Sequence, residues 1–300
     1  MQIKKEEVKN MIAYHSIDDL VKLSDEMKLP MWKVILKVDA KERQVTEEAS
    51  MAAMRQMYQI MKQTDADYDK DLMSPSGMTG GAGEKMHIYN QSGHNLAGEY
   101  IGLVMEKALI ISESNACMKR IVAAPTAGSC GVIPAVFLSF EEYNNIPEDR
   151  MVEAMFITAG IGSVIAENAS IAGASGGCQA EIGSASAMAA AGLAFLQGGD
   201  NECIANAMAL ALKNMLGLAC DPVCGLVEVP CIKRNSSGAV NAVTSAQMAL
   251  AGIKSAIEPD EVIDSMRRIG NDMPSCLKET SMGGLAVTPT AVAIKARLEN

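Results

Sequence analysis

Aromatic residues and histidines are scarce in this chain. Phe, Trp and Tyr make up 4% of the 300 residues, with a single Trp, and there are only three histidines. Strands favour aromatic and β-branched residues, and almost no segment here alternates apolar and polar residues with a period of two. Ala, Leu, Ile, Met and Gly supply most of the apolar positions instead. The composition therefore predicts an all-α protein built from closely packed helices.

Basic stretches and long apolar runs are also missing. The formal net charge is −10, and no stripe of Lys and Arg with interleaved aromatics is present, which argues against nucleic-acid binding. The first residues, MQIKKEEVKNM, lack the apolar segment of a secretory signal. The most apolar stretch, 182–197, is too short and too rich in Ala, Gly and Ser for a membrane span. We therefore expect a cytoplasmic protein whose cysteines are thiols or metal ligands rather than disulfides.

Helical periodicity runs through most of the chain between loops rich in Gly, Pro and Ser. Ser16 followed by Asp19 resembles a helix start, and four methionines with Tyr58 form a helical stripe over 51–61 that we interpret as core. Helices are predicted over 47–62, 96–112 with a continuation over 116–123, 151–168, 182–196, 202–218, 241–257 and 259–269. No repeat or linker marks a boundary, so residues 1–300 are expected to form one helical catalytic domain with 1–70 as a peripheral layer.

Three cysteines, Cys178, Cys220 and Cys231, lie in segments of small residues: GASGGCQAEIG, GLACDPVCG and VEVPCIKRNSSG. Thiolates suit zinc or iron–sulfur clusters, and three ligands on a four-iron cluster would leave one iron open to a substrate. The spacing fits neither a zinc ribbon nor a ferredoxin. On spacing alone Cys224 is as good a ligand as Cys220, and buried, inert thiols are an equal alternative. The remaining cysteines are interpreted as core or surface residues.

Two further loops carry hydroxyl groups on a backbone rich in Gly and Pro. The loop SGMTGGAGEK lacks the ending of a phosphate-binding P-loop, but its N–H groups could hold a carboxylate, with Ser76 and Thr79 as hydroxyl donors. The loop APTAGSCGVIPAV presents Thr126 and Ser129 before a helix whose N-terminus attracts anions. An ordinary turn is the alternative interpretation of the glycine-rich loop.

Polar residues also interrupt the apolar segments. Glu167 and Glu181 are carboxylates among small apolar residues, where burial would raise their pKa toward general-base use. The run 233–236 directly follows Cys231 and could face an anionic cluster or substrate, or lie in solvent. No Ser–His–Asp arrangement can be argued from the spacing of the three histidines.

Five segments, in the same order, resemble the α chain of iron–sulfur-dependent L-serine dehydratase (L-serine ammonia-lyase). They are SPSGMTGG, SNACMKRIVAAPTAGSCGVIPAV, ENASIAGASGGCQAEIGSASAMAAAGLAFLQGG, DPVCGLVEVPCIKRNS and KETSMGGLAV, and they span 74–287. The resemblance implies that Cys178, Cys220 and Cys231, rather than Cys224, hold a [4Fe–4S] cluster in loops of an all-α catalytic domain. It also implies a β-elimination in amino-acid degradation and gluconeogenesis, in which L-serine gives pyruvate and ammonia without pyridoxal phosphate.

The resemblance implies that three different groups share the chemistry in the substrate site. An open iron acts as a Lewis acid on the serine hydroxyl, a base removes the Cα proton, and hydrogen-bond donors stabilise the charge that develops at the carboxylate. The expected substrate-binding residues are Ser76, Gly77, Thr79, Thr126, Ser129, Lys233 and Asn235.

Single-chain members of the family differ from this sequence at both ends. They carry an N-terminal regulatory domain with a Ser-Ser-Ser-His type motif, which is absent here, so we expect a heterodimer with a separate β chain that supplies the general base. Some of them end in a cysteine that caps the fourth iron, whereas this chain ends AVAIKARLEN.

Three other functions fit the same residues. A related lyase could act on L-cysteine or L-threonine, because a small pocket rejects one methyl group only weakly. An iron–sulfur redox protein is a non-enzymatic alternative, although an electron carrier usually has all its irons bound by protein ligands. A helical protein with inert thiols is the third.

Overall fold

The computed structural model describes residues 12–299, so the N-terminal segment predicted to lack a secretory signal lies outside the described residues. Within this range the chain forms thirteen α-helices and no β-strand, which confirms the all-α prediction. The helices are α1 (Ile17–Met27), α2 (Met31–Glu42), α3 (Glu47–Ala66), α4 (Ala82–Gln91), α5 (Gly98–Ala116), α6 (Val132–Asn144), α7 (Glu148–Asn168), α8 (Gly173–Gly176), α9 (Ser184–Leu196), α10 (Asn201–Lys213), α11 (Cys231–Leu250), α12 (Pro259–Asp272) and α13 (Pro289–Leu298). No helix between residues 12 and 299 combines the length and the apolar character needed to cross a membrane.

Helix α9 lies at the centre of the helical packing. Every residue from Ser184 to Phe195 is buried, and the helix contacts α6, α7, α10 and α11. Its surface is apolar or small on all sides, as expected of a helix without a solvent face. Gly192 allows Phe137 of α6 to approach, because a Cβ at position 192 would lie 3.0 Å from Cε1 of the phenyl ring.

Small residues on α7 allow close helix contacts, as the sequence predicts. A Cβ at Gly160 would lie 2.7 Å from Cγ1 of Ile35 on α2, and one at Gly162 would lie 2.7 Å from Cε of Met188 on α9. Helix α7 therefore packs closely against α2 on one side and against the central helix on the other, where the contact is made by the flexible end of Met188.

The first three helices use amphipathic faces to pack on this centre. Ser16 caps α1 by accepting the N–H of Asp19 at 2.9 Å, as predicted. On α3, Tyr58 and Met61 of the predicted apolar stripe are buried, whereas Met57 is 47% exposed, so the stripe is narrower than predicted. Helices α2 and α3 contact α7, and α1 contacts α10 and α12. The single catalytic domain with its peripheral layer over 1–70 stays a prediction.

Several helix boundaries differ from those predicted. Helix α11 begins at Cys231 rather than at residue 241, because its polar first turns resemble a loop in the sequence, and it ends at Leu250. The predicted continuation over 116–123 is wrong: α5 ends at Ala116, and Met118 takes the left-handed conformation (φ 62°) that commonly closes a helix. Helices α4, α8 and α13 were not predicted.

Candidate active site

The three cysteines meet at one end of the packed helices α9, α10 and α11. Cys178 precedes α9, Cys220 follows α10, and Cys231 opens α11. All three are buried, with 2%, 3% and 8% of their surfaces exposed. Their thiols are close enough to interact electrostatically, because charges on Cys178 and Cys231 both raise the pKa of Cys220. Cys224 is only half-buried, in a turn where its backbone is left-handed (φ 57°).

The protonation of these thiols follows from their burial. Burial raises the pKa of Cys178 to about 11 and that of Cys231 to about 12, and it raises the pKa of Cys220 still further. The Arg234 guanidinium acts in the opposite direction on Cys178, through its charge and a hydrogen bond. Coordination to a metal would act against this effect, because a metal binds cysteine as the thiolate.

The loop that carries Cys178 is locked by its neighbours. The side chain of Gln179 is fully buried; its Nε2 donates to the Met266 carbonyl at 3.0 Å, and its Oε1 accepts the Gly217 N–H at 2.9 Å. Gly177 has φ +74°, and a Cβ there would lie 2.9 Å from a backbone carbonyl oxygen. The glycine beside Cys178 is therefore required by both conformation and space.

The C-terminal motif KETSMGGLAV lies against Cys220. The Cys220 N–H donates to the Leu277 carbonyl at 2.8 Å, and its own carbonyl accepts the Glu279 N–H at 2.7 Å. The adjacent Asp221 side chain accepts the Leu285 N–H at 2.8 Å. This segment thus fixes the second cysteine and covers it from solvent.

Among the described residues, Arg234 is the cation that contacts the cysteine group. It donates to the Ala219 carbonyl at 2.7 Å and to Asp221 Oδ1 at 3.0 Å, and it also hydrogen-bonds the Cys178 thiol. Asp221 therefore orients the guanidinium toward the cysteines. Of the charged run after Cys231, Arg234 faces the cysteine group, whereas Lys233 is exposed.

The second predicted hydroxyl loop reaches the same cysteines through Glu181. Thr126 Oγ1 donates to Glu181 Oε1 at 2.7 Å, and Cys220 Sγ lies 3.7 Å from Glu181 Oε2. Burial raises the pKa of Glu181, while the hydrogen bond from Thr126 lowers it. Ser129 is fully buried, with its Oγ 3.1 Å from that of Thr126. By contrast, Glu167 is half-exposed and pairs with the His15 ring.

Asn235 connects this loop to α11. Its Oδ1 accepts the Gly131 N–H at 2.9 Å, and its Nδ2 donates to the carbonyls of Gly128 at 2.8 Å and Cys231 at 2.9 Å. The side chain is 1% exposed and its amide is fully used by backbone groups. It therefore holds the loop and the third cysteine in a fixed relation.

The glycine-rich loop before α4 closes on itself and on a carboxylate. Ser74 Oγ donates to Glu228 Oε2 at 2.7 Å, and Ser76 Oγ lies 2.9 Å from Oε1 and 2.8 Å from Oε2 of the same residue. Glu228 is three positions before Cys231, so it links this loop to the cysteine end. Gly77 is exposed, and a Cβ there would meet no atom within 4 Å.

The N–H groups at the start of α4 do hold an anion, but it is a side chain of this protein. Glu113 accepts the N–H of Ala82 at 2.9 Å and that of Gly83 at 3.0 Å, together with the hydroxyl of Tyr68 at 2.8 Å. Thr79 Oγ1 lies 3.4 Å from the same carboxylate. This arrangement uses the positive end of the helix to stabilise a buried charge.

Glu113 and Glu228 are the residues near the loops that sequence reasoning missed. Glu228 stands in the apolar stretch GLVEVPC and Glu113 in the apolar helix α5, and an isolated carboxylate among apolar residues was the available signal.

The donor set fits an iron–sulfur cluster. No three His, Cys, Asp or Glu side chains in the described range converge tightly enough to hold a single metal ion. A cluster sets a looser distance requirement, because each thiolate binds a different iron atom. Three buried thiols with one neighbouring guanidinium provide soft ligands and partial charge compensation for an anionic cluster.

Comparison with known proteins identifies the family of this chain. The family described as "Serine dehydratase alpha chain" matches residues 26–286. The probable L-serine dehydratase, alpha chain, of Bacillus subtilis is 45% identical over 288 residues, which are 95% of each chain. The L-serine dehydratase, alpha chain, of Peptoniphilus asaccharolyticus is 38% identical over 92% of this chain and 95% of its own. The L-serine dehydratase of Streptomyces coelicolor is 46% identical over 64% of this chain, which corresponds to 42% of that longer protein. The chain therefore belongs to the serine dehydratase alpha chain family.

Proposed function

We propose that this chain is the alpha chain of a cytoplasmic L-serine dehydratase that converts L-serine to pyruvate and ammonia in amino-acid degradation. In this proposal Cys178, Cys220 and Cys231 hold a [4Fe–4S] cluster, and a separate β chain completes a heterodimer. The observation that carries the proposal is the convergence of three buried thiols beside two hydroxyl loops, in a chain of this family.

The cysteine group supplies a place for Lewis-acid chemistry. When bound, a cluster with three protein thiolates leaves one iron open to polarise the β-hydroxyl of serine, which is otherwise a poor leaving group. The protein's own contribution is a dry environment, since the three cysteines are buried and the C-terminal motif covers Cys220. Arg234, oriented by Asp221, offsets negative charge beside Cys178.

The hydroxyl loops bind and orient the substrate. In the proposal Ser76, Gly77 and Thr79 receive the carboxylate on the side where Gly77 is open, and Thr126 and Ser129 lie near the reacting carbon atoms. Donors around the carboxylate stabilise the charge that develops when the Cα proton leaves.

Two predicted residues act less directly in this proposal. Asn235 has both amide atoms bound to the backbone, so it contributes by holding the loop of Thr126 rather than by contact with serine. Lys233 is exposed and contributes only if the β chain covers it. The general base comes from the β chain.

Turnover by the complex tests the proposal. The chain is produced anaerobically together with its β chain, and 2-oxoacid formation is measured with L-serine, L-threonine and L-cysteine side by side. We expect kcat/KM to be highest for L-serine, with Cys224→Ala as an active control. The lowest kcat/KM for L-serine would overturn the choice of substrate, and no turnover of any of the three would overturn the enzymatic proposal.

A further inference from the structure

Glu228 is a buried carboxylate without a cationic partner. It is 5% exposed, and no Lys, Arg or His nitrogen of the described residues lies within 4.0 Å of its oxygens. Buried charges are normally paired, because desolvation of an ionised carboxylate is costly. Two other buried carboxylates do have a positive partner. Asp221 forms an ion pair with Arg234, and Glu113 accepts N–H groups at the N-terminus of α4. Glu228 has only two neutral hydroxyl groups, so a cation is the partner it lacks.

The position of Glu228 makes it reachable from the substrate loop. Ser76 hydrogen-bonds the carboxylate and is itself only partly buried, and the next residue, Gly77, is exposed with no atom within 4 Å of where its Cβ would lie. Ser74 holds Oε2 from the buried side. A small ligand bound beside Gly77 is therefore next to a residue, Ser76, whose hydroxyl contacts both oxygens of Glu228.

We infer that Glu228 accepts the α-ammonium group of the amino-acid substrate. The inference rests on the proposed function and adds the recognition of one substrate group to it. An α-amino acid carries a carboxylate and an ammonium, and none of the predicted substrate contacts offers an anionic acceptor for the ammonium. Glu228 supplies the missing acceptor, and an ammonium beside it would form a charge-assisted pair in a site with little water.

Ser76 then changes partner when the substrate binds. Its hydroxyl has a single proton, which it donates to Glu228 in the structure described here. An ammonium group at Glu228 takes over that acceptor and frees the Ser76 proton for the substrate carboxylate. The Ser76 hydroxyl thus responds to the ammonium and binds the carboxylate of the same amino acid. A ligand without an ammonium leaves Ser76 bound to Glu228.

Two unreactive ligands isolate this contact. L-alanine and L-lactate share one carbon skeleton, differ in the ammonium group, and lack a β-hydroxyl to eliminate. Calorimetric titration of the cluster-loaded α/β complex is expected to give tighter binding of L-alanine. In Glu228→Gln the preference for L-alanine over L-lactate should fall by about 30-fold, the value of one charge-assisted hydrogen bond. The affinity for L-lactate should change by less than about threefold, because that ligand never used the charge.

Further variants separate recognition from folding. Glu228→Asp keeps the charge one methylene farther away and should retain part of the preference. Glu141→Gln is the control. Glu141, on α6, likewise accepts a hydrogen bond from a hydroxyl group, that of Tyr58 at 3.0 Å, and its replacement should leave the preference unchanged. Thermal unfolding of each complex verifies that it is folded.

The outcomes distinguish this inference from the proposed function. If the parent complex dehydrates L-serine but Glu228→Gln keeps the full preference for L-alanine, the inference is overturned and the proposed function stands. If the parent neither binds nor dehydrates L-serine, the proposed function falls and the inference falls with it.

Discussion

The outer helices α1–α3 and the cysteine end of α9–α11 are held in place by different interactions. The outer helices have partly exposed ion pairs beside their apolar stripes, such as Arg55 with Glu148 at 3.1 Å and Lys33 with Glu47 at 2.7 Å. The cysteine end relies on buried hydrogen bonds, of which those from Gln179 are typical, and on contacts that leave no space for a methyl group.

This difference predicts where the molecule tolerates change. An exposed ion pair is screened by water and contributes little, so its removal leaves the helix packed by its apolar face. A buried amide or a glycine at a close contact has no substitute, because an unsatisfied polar group or a steric overlap remains after the change. The cysteine end should therefore be sensitive at nearly every position, and the outer helices at few.

The largest expected effect is loss of the cluster from cysteine variants. Cys178→Ala, Cys220→Ala and Cys231→Ala should each abolish iron retention, because each removes a ligand of a three-ligand set. Cys224→Ala, in the same loop region but half-buried and outside the interacting thiols, should keep its iron. Iron and sulfide content after anaerobic reconstitution measures this. Loss of iron from Cys224→Ala would contradict the assignment of the ligands.

Gly131→Ala should have the next largest effect. A Cβ there would lie 2.7 Å from the Ala108 carbonyl and 3.2 Å from Asn235 Oδ1, both part of rigid surroundings. We expect a loss of about 1–3 kcal/mol in the free energy of unfolding. Gly162→Ala is the matched control, because its Cβ would meet the flexible end of Met188, which can move aside. The free energy of unfolding of both variants is measured by urea denaturation. Equal losses would show that the rigid surroundings of Gly131 do not make it more sensitive than Gly162.

Removal of an outer ion pair should cost less. Arg55→Ala removes the ion pairs that join α3 to Glu148 and Asp149 at the start of α7. The guanidinium is about one-third exposed. The expected loss is about 0.2–1 kcal/mol, and it should shrink in high salt because exposed charges are screened. A loss as large as that of Gly131→Ala would mean that the outer layer is not held mainly by its apolar faces.

The smallest effect concerns pH. Hydrogen bonds from Lys33 and then Lys37 lower the pKa of Glu47 below its ordinary value of 4.5. A carboxyl with a lowered folded-state pKa adds stability above its unfolded pKa, and this stability is lost as the pH falls through the folded value. Glu47→Gln should therefore lower the melting temperature at neutral pH but not in strong acid. A difference that persists unchanged in acid would contradict the ion-pair explanation.

The fold was predictable wherever local signals were strong. Ser16 at the start of α1 and the apolar periodicity of α7 and α9 led to the right elements. The start of α11 was missed because CIKRNSSG has the composition of a loop, whereas in the fold this segment packs closely against distant residues such as Ile182 at Gly238. Local composition cannot report a contact with a residue so far away in the sequence.

The candidate site was predictable in part for the same reason. Spacing alone did not separate Cys220 from Cys224, whereas the structure brings Cys220 together with Cys178 and Cys231. The hydroxyls of Ser76 and Thr126 stood out in Gly- and Pro-rich loops. Of their carboxylate partners, Glu181 stood out as a charge among small apolar residues, but Glu228 did not, since Ser76 and Glu228 are 152 positions apart.

The absorption spectrum shows directly whether the three cysteines hold a cluster with an open iron. The full chain, reconstituted anaerobically with iron and sulfide, is followed at the thiolate-to-iron charge-transfer band while L-serine is added. We expect a brown protein whose spectrum shifts with L-serine, because a cluster with three cysteine ligands leaves one iron open to the substrate. Protein that binds no iron, or a cluster whose spectrum L-serine leaves unchanged even with the β chain present, would contradict this expectation.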